Sequence, residues 1–426
     1  MPEPTSSLHR TRSLRLTVRG WATLAVGVAC VALSYALGRR ELLVAAGFAV
    51  LLSLGGLLVA RLRRPKLNVV RLFSPPVVAA GSRADVTLRV FNAGSVATPT
   101  LLWNDAIPWR EPQPAHELPP IRIGTAAQRT AVLHEELHPR RRGLFPIGPL
   151  VVEYSDPFSM ARSVLACGDV DRLTVVPAIS TLPDGGPVLI DGDGAAQLVQ
   201  RRAVGNDDDL TTREYRSGDA LRRVHWRASA RHGQLMVRQE EHRSHPDARI
   251  VIDTRLSGYA DAVPDAENWP PAPSSDAFEW AVRMLASLAV HLDESGFRVG
   301  VVESGDPQIE QIGERWEGGR RIESFLTSLA ALRLLDRHGE LPAAAADAAG
   351  PTFAILARPE PDVVDWVLRQ RRPGQAGAVF AIGMDPLVRE RLSDAGWLCV
   401  DVEPFDDITD AWRASATEAG YIRGAH

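Results

Sequence analysis

The chain has 426 residues, with 48 Lys and Arg against 52 Asp and Glu and a formal charge of −4. That length admits two or three domains besides a membrane segment, and the near-neutral balance excludes the global electropositive field of a nucleic-acid binder. Cys30, Cys167 and Cys399 stand far apart with no CxxC pair, which excludes a disulfide framework and a cysteine zinc site.

Residues 1–19 read as a basic N-terminal tail. Residues 20–37 are apolar apart from Thr23, Ser34 and Tyr35, and residues 42–60 apart from Ser53. Each is about the ~20 residues that cross a bilayer. The second stretch follows at once, which argues against a cleaved signal peptide and for a two-helix transmembrane hairpin over 20–66. Arg10, Arg12, Arg15 and Arg19 precede the first span, Arg61, Arg63, Arg64 and Lys66 follow the second, and only Arg39 and Arg40 lie between. The positive-inside rule predicts a multi-pass protein of the cell membrane with both termini and the soluble body in the cytoplasm. Gly47, Gly55 and Gly56 are expected to let the two helices approach.

Residues 67–179 offer short alternating runs (84–92, 128–137, 147–156, 171–177) broken by Pro and Gly, the pattern of a small antiparallel β-sandwich. Arg140, Arg141 and Arg142 could form an anion site, though a solvated turn is the plainer reading. Residues 180–248 hold a linker and an arginine-rich segment. Asp191 and Asp193 invite a calcium reading, but the alternating oxygen ligands and the closing glutamate are missing, so turn chemistry is expected.

Within 213–241, Arg213, Arg216, Arg222, Arg223, Arg227, Arg231 and Arg238 surround Trp226. Arginine is costly to order and suits bidentate carboxylate or phosphate binding, so this density asks for a partner. Asp219 as N-cap and Gly233 as stop predict a short helix over 220–231, with Trp226 as a packing anchor under Arg222. A strand over 235–241 follows. Pairing of the arginines with Glu214, Glu240, Glu241 or the acidic run 207–209 outweighs capture of an external anion.

From 249 to 426 the pattern becomes βα alternation. Strands are expected at 248–255, 297–304, 352–359, 377–384 and 396–403, with helices at 275–294, 320–335, 362–371 and 386–395. Continuous apolar strands between amphipathic helices predict a mostly parallel sheet covered on both faces, with ligand loops at the carboxyl ends of its strands.

Arg213, Tyr215, Gly218, Asp219, Arg222, Val224, Trp226, Arg227, Ser229, Ala230, Arg231 and Arg238 fit R-x-Y-x-x-G-D-x-x-R-x-[IV]-x-W-[KR]-x-S-A-R followed by L-x-V-R. This segment resembles the core of the domain-of-unknown-function 58 family (DUF 58), and residues 138–160 resemble that family's R-R-G-x-[YF]-x-[IVL]-G-P and D-P-[FL]-G elements. The resemblance implies a bacterial membrane protein whose 249–426 region is a von Willebrand factor A-like, Rossmannoid α/β domain. In such domains a strand-end D-x-S-x-S holds a divalent cation. Asp253 and Ser257 fit, whereas Arg255 brings a positive charge to the middle position.

Three functions follow as expectations. The leading one is a non-enzymatic, membrane-anchored interaction module facing the cytoplasm, with no catalytic residues and no cofactor. The resemblance implies a MoxR-type AAA+ ATPase as its partner, together with a transglutaminase-like membrane protein, in envelope or complex maturation. The second is a metal-dependent ligand-binding A-type domain using Asp253 and Ser257 with magnesium. The third is a hydrolase built on Asp219, His225 and Ser229, which lack a G-x-S-x-G elbow.

Overall fold

The computed structural model describes residues 13–110, 116–184, 212–215, 224, 226–238, 247–267, 270–309, 319–336, 339–343, 350–372 and 374–424. The chain divides into two compact units, Met1–Ala178 with Pro264–Ala272, and Ile179–Val263 with Pro273–His426.

The first unit begins with an edge strand, β1 (Ser13–Leu16), followed by helices α1 (Val18–Leu37) and α2 (Glu41–Leu62). The expected tail over 1–19 is therefore not all tail: Ser13–Leu16 completes a sheet by pairing with a later strand. Thr17 caps α1 by accepting from the Gly20 amide, and Gly38, at φ 67°, ends it. The helices pack closely where Gly27 faces Ala49 and Val50 of α2, while Gly47 and Gly55 face open space and Gly56 faces a loop of the sandwich. The glycine that closes the hairpin thus lies in α1, not at the expected positions in α2. Both helices are long and apolar enough to cross a bilayer. Phe48 at 69% and Leu51 at 72% exposure turn outward.

The sandwich comprises β2 (Leu67–Ser74), β3 (Val77–Ala79), β4 (Ala84–Asn92), β5 (Leu101–Asp105), β6 (His116–Leu118), β7 (Thr130–Leu137), β8 (Gly143–Ile147), β9 (Leu150–Ser155), β10 (Ala161–Cys167) and β11 (Asp171–Val176). Three sheets form, in the orders β2–β4–β7, β1–β10–β9–β5–β6 and β3–β11–β8. In β4, Ala84, Val86, Leu88 and Val90 alternate inward to meet Leu101, Leu118, Leu137, Leu150 and Val152 in one core. Leu57 and Ala60 of α2 enter that same core.

The second unit opens with a two-stranded ribbon, β12 (Thr212–Glu214) and β13 (Met236–Arg238), enclosing the short helix α3 (Trp226–His232). Its sheet contains β14 (Asp247–Ile252). A small ribbon of β15 (Val263–Asp265) and β16 (Ala272–Ser274) comes next in the chain. The other strands of the sheet are β17 (Arg298–Glu303), β18 (Thr352–Leu356), β19 (Gly377–Ile382) and β20 (Leu398–Val402). They lie in the order β17–β14–β18–β19–β20, every neighbouring pair parallel. All residues of β18 and β19 are buried, as a sheet covered on both faces requires.

The helices α4 (Asp276–Glu294), α5 (Gly319–Ala331), α6 (Pro361–Arg369) and α7 (Pro386–Asp394) fall where periodicity predicts them. Ser275 caps α4 by accepting from the Phe278 amide. Val363, Val364, Trp366 and Val367 of α6 and Leu392 of α7 pack with Val251, Ala354 and Val379 of the sheet. Elsewhere in the unit Trp280 of α4 meets Phe380, and Trp412 meets Phe353. Trp412 belongs to α8 (Ile408–Gly424), an element beyond the final strand that the sequence reading omits.

Candidate functional site

In a parallel sheet of this order, the connections from the first and third strands leave in opposite directions, which opens a crevice at their carboxyl ends. Here those strands are β14 and β18. Asp253, Thr254 and Arg255 follow β14, Ser304 follows the neighbouring β17, and Glu360 and Asp362 follow β18.

Asp253 is buried. Its Oδ1 accepts hydrogen bonds from the Ser304 hydroxyl and, at 3.1 Å, from the Arg255 amide. Ser304 Oγ also accepts from the Thr254 amide at 3.0 Å, and the Tyr259 hydroxyl donates to the Asp253 carbonyl at 2.7 Å. Oδ2 has no hydrogen-bond partner among the described residues and faces Gly258, where a side chain would collide with it. Burial pushes the Asp253 carboxyl up, its hydrogen bonds to Ser304 and Arg255 notwithstanding.

The crevice is filled by Arg255, whose side chain is 3% exposed. Nε donates to the Ser304 carbonyl at 3.3 Å, and Nη1 reaches Asp362 at 2.8 Å and Glu360 at 3.3 Å. Slight burial works to raise the Asp362 carboxyl, but the hydrogen bond and charge of Arg255 outweigh it and hold the group below its ordinary value. Nearby, Glu303 Oε1 accepts from the amides of Gln308 and Ile309 at 2.9 and 2.8 Å, and burial pushes this carboxyl up. Asp385 caps α7 through the Leu387 amide.

These residues suit magnesium poorly. The guanidinium of Arg255 supplies the positive charge of the crevice, Gly258 covers Asp253 Oδ2, and Ser257 lies exposed on a single 3₁₀ turn. A hard cation needs several converging oxygens and no competing charge. Among the described residues no group of three or more His, Cys, Asp or Glu converges as a metal site.

The rim continues past β19 and β20, where Leu387 and Phe405 are exposed at 75% and 83%. Asp385, Glu403, Asp406 and Asp407 stand beside them in the chain, all exposed.

The arginine-rich segment follows its spacing in part: a helix overlaps 220–231, Gly233 ends it, and a strand falls within 235–241. The described helix runs from Trp226 to His232, and Val224 before it is buried and non-helical, while residues 220–223 lie outside the described residues. Trp226 is 69% exposed and does not serve as the expected packing anchor. Gly233, at φ 72°, ends the helix with its amide on the Ser229 carbonyl. The Ser229 hydroxyl accepts the Met236 amide at 2.8 Å, tying α3 to β13, and the Tyr215 amide donates to the Leu235 carbonyl. Arg213 lies opposite Val237 and Arg238 opposite Thr212 in the ribbon. Arg227, Ala230 and Arg231 lie on α3. Arg216, Gly218, Asp219, Arg222, Arg223, His225, Glu240, Glu241, the acidic run 207–209 and the Asp191–Asp193 turn lie outside the described residues, so the Asp219–His225–Ser229 grouping is described only at Ser229. In the sandwich, Arg140 and Arg141 are exposed as a solvated turn would have them, whereas Arg142 is buried.

Residues 211–351 match the family described as "Protein of unknown function DUF58", a stretch that holds the arginine-rich core and β14 and β17 of the five-stranded sheet. No curated protein matches. Among solved structures, the crystal structure of a CARDB domain from Pyrococcus furiosus, in complex with di-metal ions, is 19% identical. It covers 26% of this chain and 89% of its own, with a TM-score of 0.19. The alkylpurine DNA glycosylase AlkC of Pseudomonas fluorescens is 13% identical over 32% of this chain and 38% of its own, with a TM-score of 0.17.

Sequence reasoning places Asp253 at a strand end but misses Ser304, Glu303 and Glu360. The available signal is that each lies at, or a few residues past, the end of an apolar strand, where a crevice at the switch point would collect polar groups.

Proposed function

We propose that this protein is a non-enzymatic, membrane-anchored interaction module with its soluble body in the cytoplasm, serving as adaptor or substrate-side partner of a MoxR-type AAA+ ATPase. The observation that carries this reading is the rim of the parallel sheet. Its crevice is closed by Arg255 on Glu360 and Asp362, while Leu387 and Phe405 stand exposed among carboxylates. A sealed crevice beside an apolar, acidic face favours docking over turnover. The strand order and the strand-end aspartate also support a degenerate von Willebrand factor A-like domain. The excess of arginine on both flanks of the hairpin supports the cytoplasmic orientation. A transglutaminase-like membrane protein is a second partner in this reading.

The test is affinity purification of the full chain from membranes with mass spectrometry. A MoxR-type ATPase is expected to co-purify and to be lost with Leu387→Asp and Phe405→Asp in a protein that still melts cooperatively. Recovery of the intact chain without any such ATPase sinks the proposal.

A further inference from the structure

The base of the hairpin forms a second surface within the first unit. Ser53 Oγ of α2 donates to the Gly20 carbonyl of α1 at 3.2 Å, which sets these two residues at one level. The loop from Asp156 to Met160 is clamped at that level. Thr17 donates its amide to the Met160 carbonyl at 2.9 Å and its hydroxyl to the Ser159 carbonyl at 2.6 Å. Gly20 and Gly56 leave the space that Met160 and Asp156 occupy: a Cβ on Gly56 would lie 2.9 Å from Met160 Cβ and 3.2 Å from Asp156 Oδ2. At the middle of this loop Phe158 is 62% exposed, and Trp21, one residue past Gly20, is exposed as well. Two outward aromatics therefore mark the level where the apolar surface of α1 begins, while exposed Leu54, Leu58 and Leu62 carry that of α2 past it; aromatic side chains sit at such levels in a bilayer interface.

Cations lie beside that level and beyond it on the side of the sandwich: Arg19 adjoins Gly20, and Arg61 to Lys66 follow at the end of α2. Arg15, Arg19, Arg61, Arg63, Arg64 and Lys66 are all exposed, and none has a carboxylate partner among the described residues. Arg15 lies directly opposite Arg162 in the β1–β10 ladder, a like-charge pair that costs stability unless an anion joins it. Glu153 neutralises Arg162 at 2.9 Å and leaves Arg15 uncompensated.

We propose that this collar binds the phosphate-bearing headgroup of an anionic phospholipid, with Phe158 and Trp21 set among the upper acyl carbons and the arginines around the phosphate. The proposal rests on the reading that α1 and α2 cross the bilayer. A juxtamembrane cation is attracted to an anionic surface strongly enough that each one removed weakens binding by roughly fivefold.

The experiment is native mass spectrometry of the full chain, extracted in detergent and titrated with phosphatidylglycerol or phosphatidylcholine. Retention of phosphatidylglycerol is expected to exceed that of phosphatidylcholine by more than tenfold at low ionic strength. It should collapse in the Arg15→Gln, Arg19→Gln, Arg63→Gln, Arg64→Gln variant and persist when the same four residues become Lys. Phe158→Ser should lower retention of both lipids. Equal retention of the two lipids, or an unchanged preference in the glutamine variant, overturns the proposal. So does displacement of phosphatidylglycerol by millimolar inorganic phosphate, which would mark a free-anion site. Alkaline carbonate extraction of the same membranes separates the two readings: release of the chain overturns the spanning hairpin and the lipid site together, whereas retention leaves the lipid titration to decide.

Discussion

The guanidinium of Arg71 occupies the space where Gly148 would carry a side chain. A Cβ there would lie 2.6 Å from Arg71 Cζ. Arg71 is fully buried and binds Asp105 through two bonds of 2.8 and 2.7 Å, with Nη1 on the Asp169 carbonyl at 2.6 Å and on Asp171 at 3.1 Å. Gly148, at φ 99°, accepts this approach because it has no Cβ and tolerates a left-handed backbone. The G-P element of the family-like segment therefore has a local mechanical reason: it seats the buried arginine of the sandwich.

Gly148→Ala is accordingly expected to destabilise the chain by roughly 3 kcal/mol or more, from the positive φ and the collision together. Arg71→Met strands the buried Asp105 charge and should cost about 3–5 kcal/mol, while adding Asp105→Leu should recover most of that loss. Denaturant melts of the detergent-solubilised chain check both, and an unperturbed Gly148→Ala melt would refute the account.

At the rim, Arg255→Ala removes charge-assisted bonds to Ser304, Glu360 and Asp362 and should cost about 2 kcal/mol. The depressed Asp362 carboxyl contributes stability that is present above its unfolded value of 3.8 and is lost as pH falls through its folded value. The deficit of the variant should therefore narrow in acid. Asp362 is more than half exposed, so that pH-dependent part should fade in high salt.

Glu303 has the opposite sign. Burial raises its folded pKa above 4.5, so from 4.5 up to that raised value the folded chain holds more protons than the unfolded one, and stability falls as pH rises. Glu303→Gln keeps an oxygen for the Gln308 and Ile309 amides and carries no charge. It is expected to melt above the wild type at neutral pH, with the difference vanishing below pH 4.5. A constant offset across the range would show that the carboxyl does not titrate in the fold.

Ser159 is the one non-glycine residue with positive φ among the described residues, at 56°, in the position where the family-like D-P-[FL]-G element carries glycine. Relief of that conformation should make Ser159→Gly more stable by about 1 kcal/mol without altering the Thr17 contacts, which use the backbone carbonyls of the loop. A scanning-calorimetry melt that does not rise would show that the loop already tolerates the serine.

The legible parts of the fold are those whose side chains have one job. Ile250, Val251 and Ile252, or Phe353 through Leu356, form continuous apolar runs because both faces of the sheet are covered. The hairpin is legible for the same reason, since its outward residues, such as Phe48 and Leu51, are as apolar as those between its helices. α8 escapes notice although Ile408, Ala411, Trp412 and Ser415 recur at helical spacing, because the polar residues between them dilute the pattern. β1 escapes because four residues pairing with a strand about 150 positions away carry no local signal. The position of Trp226 misleads because an aromatic at helical spacing reads as core, while here it faces solvent. Of the candidate site, Asp253 is legible from its strand end, but the Arg255–Asp362 pair depends on how two distant loops converge.

The way α2 enters the sandwich has a mechanical consequence. Leu57 and Ala60 lie in the sandwich core, the Tyr154 hydroxyl holds the Ala60 carbonyl, and only Arg63 to Lys66 separate the helix from β2. Hairpin and sandwich therefore move as one lever with no swivel between them. In the membrane-spanning reading, a torque applied to the sandwich tilts both helices instead of winding a tether.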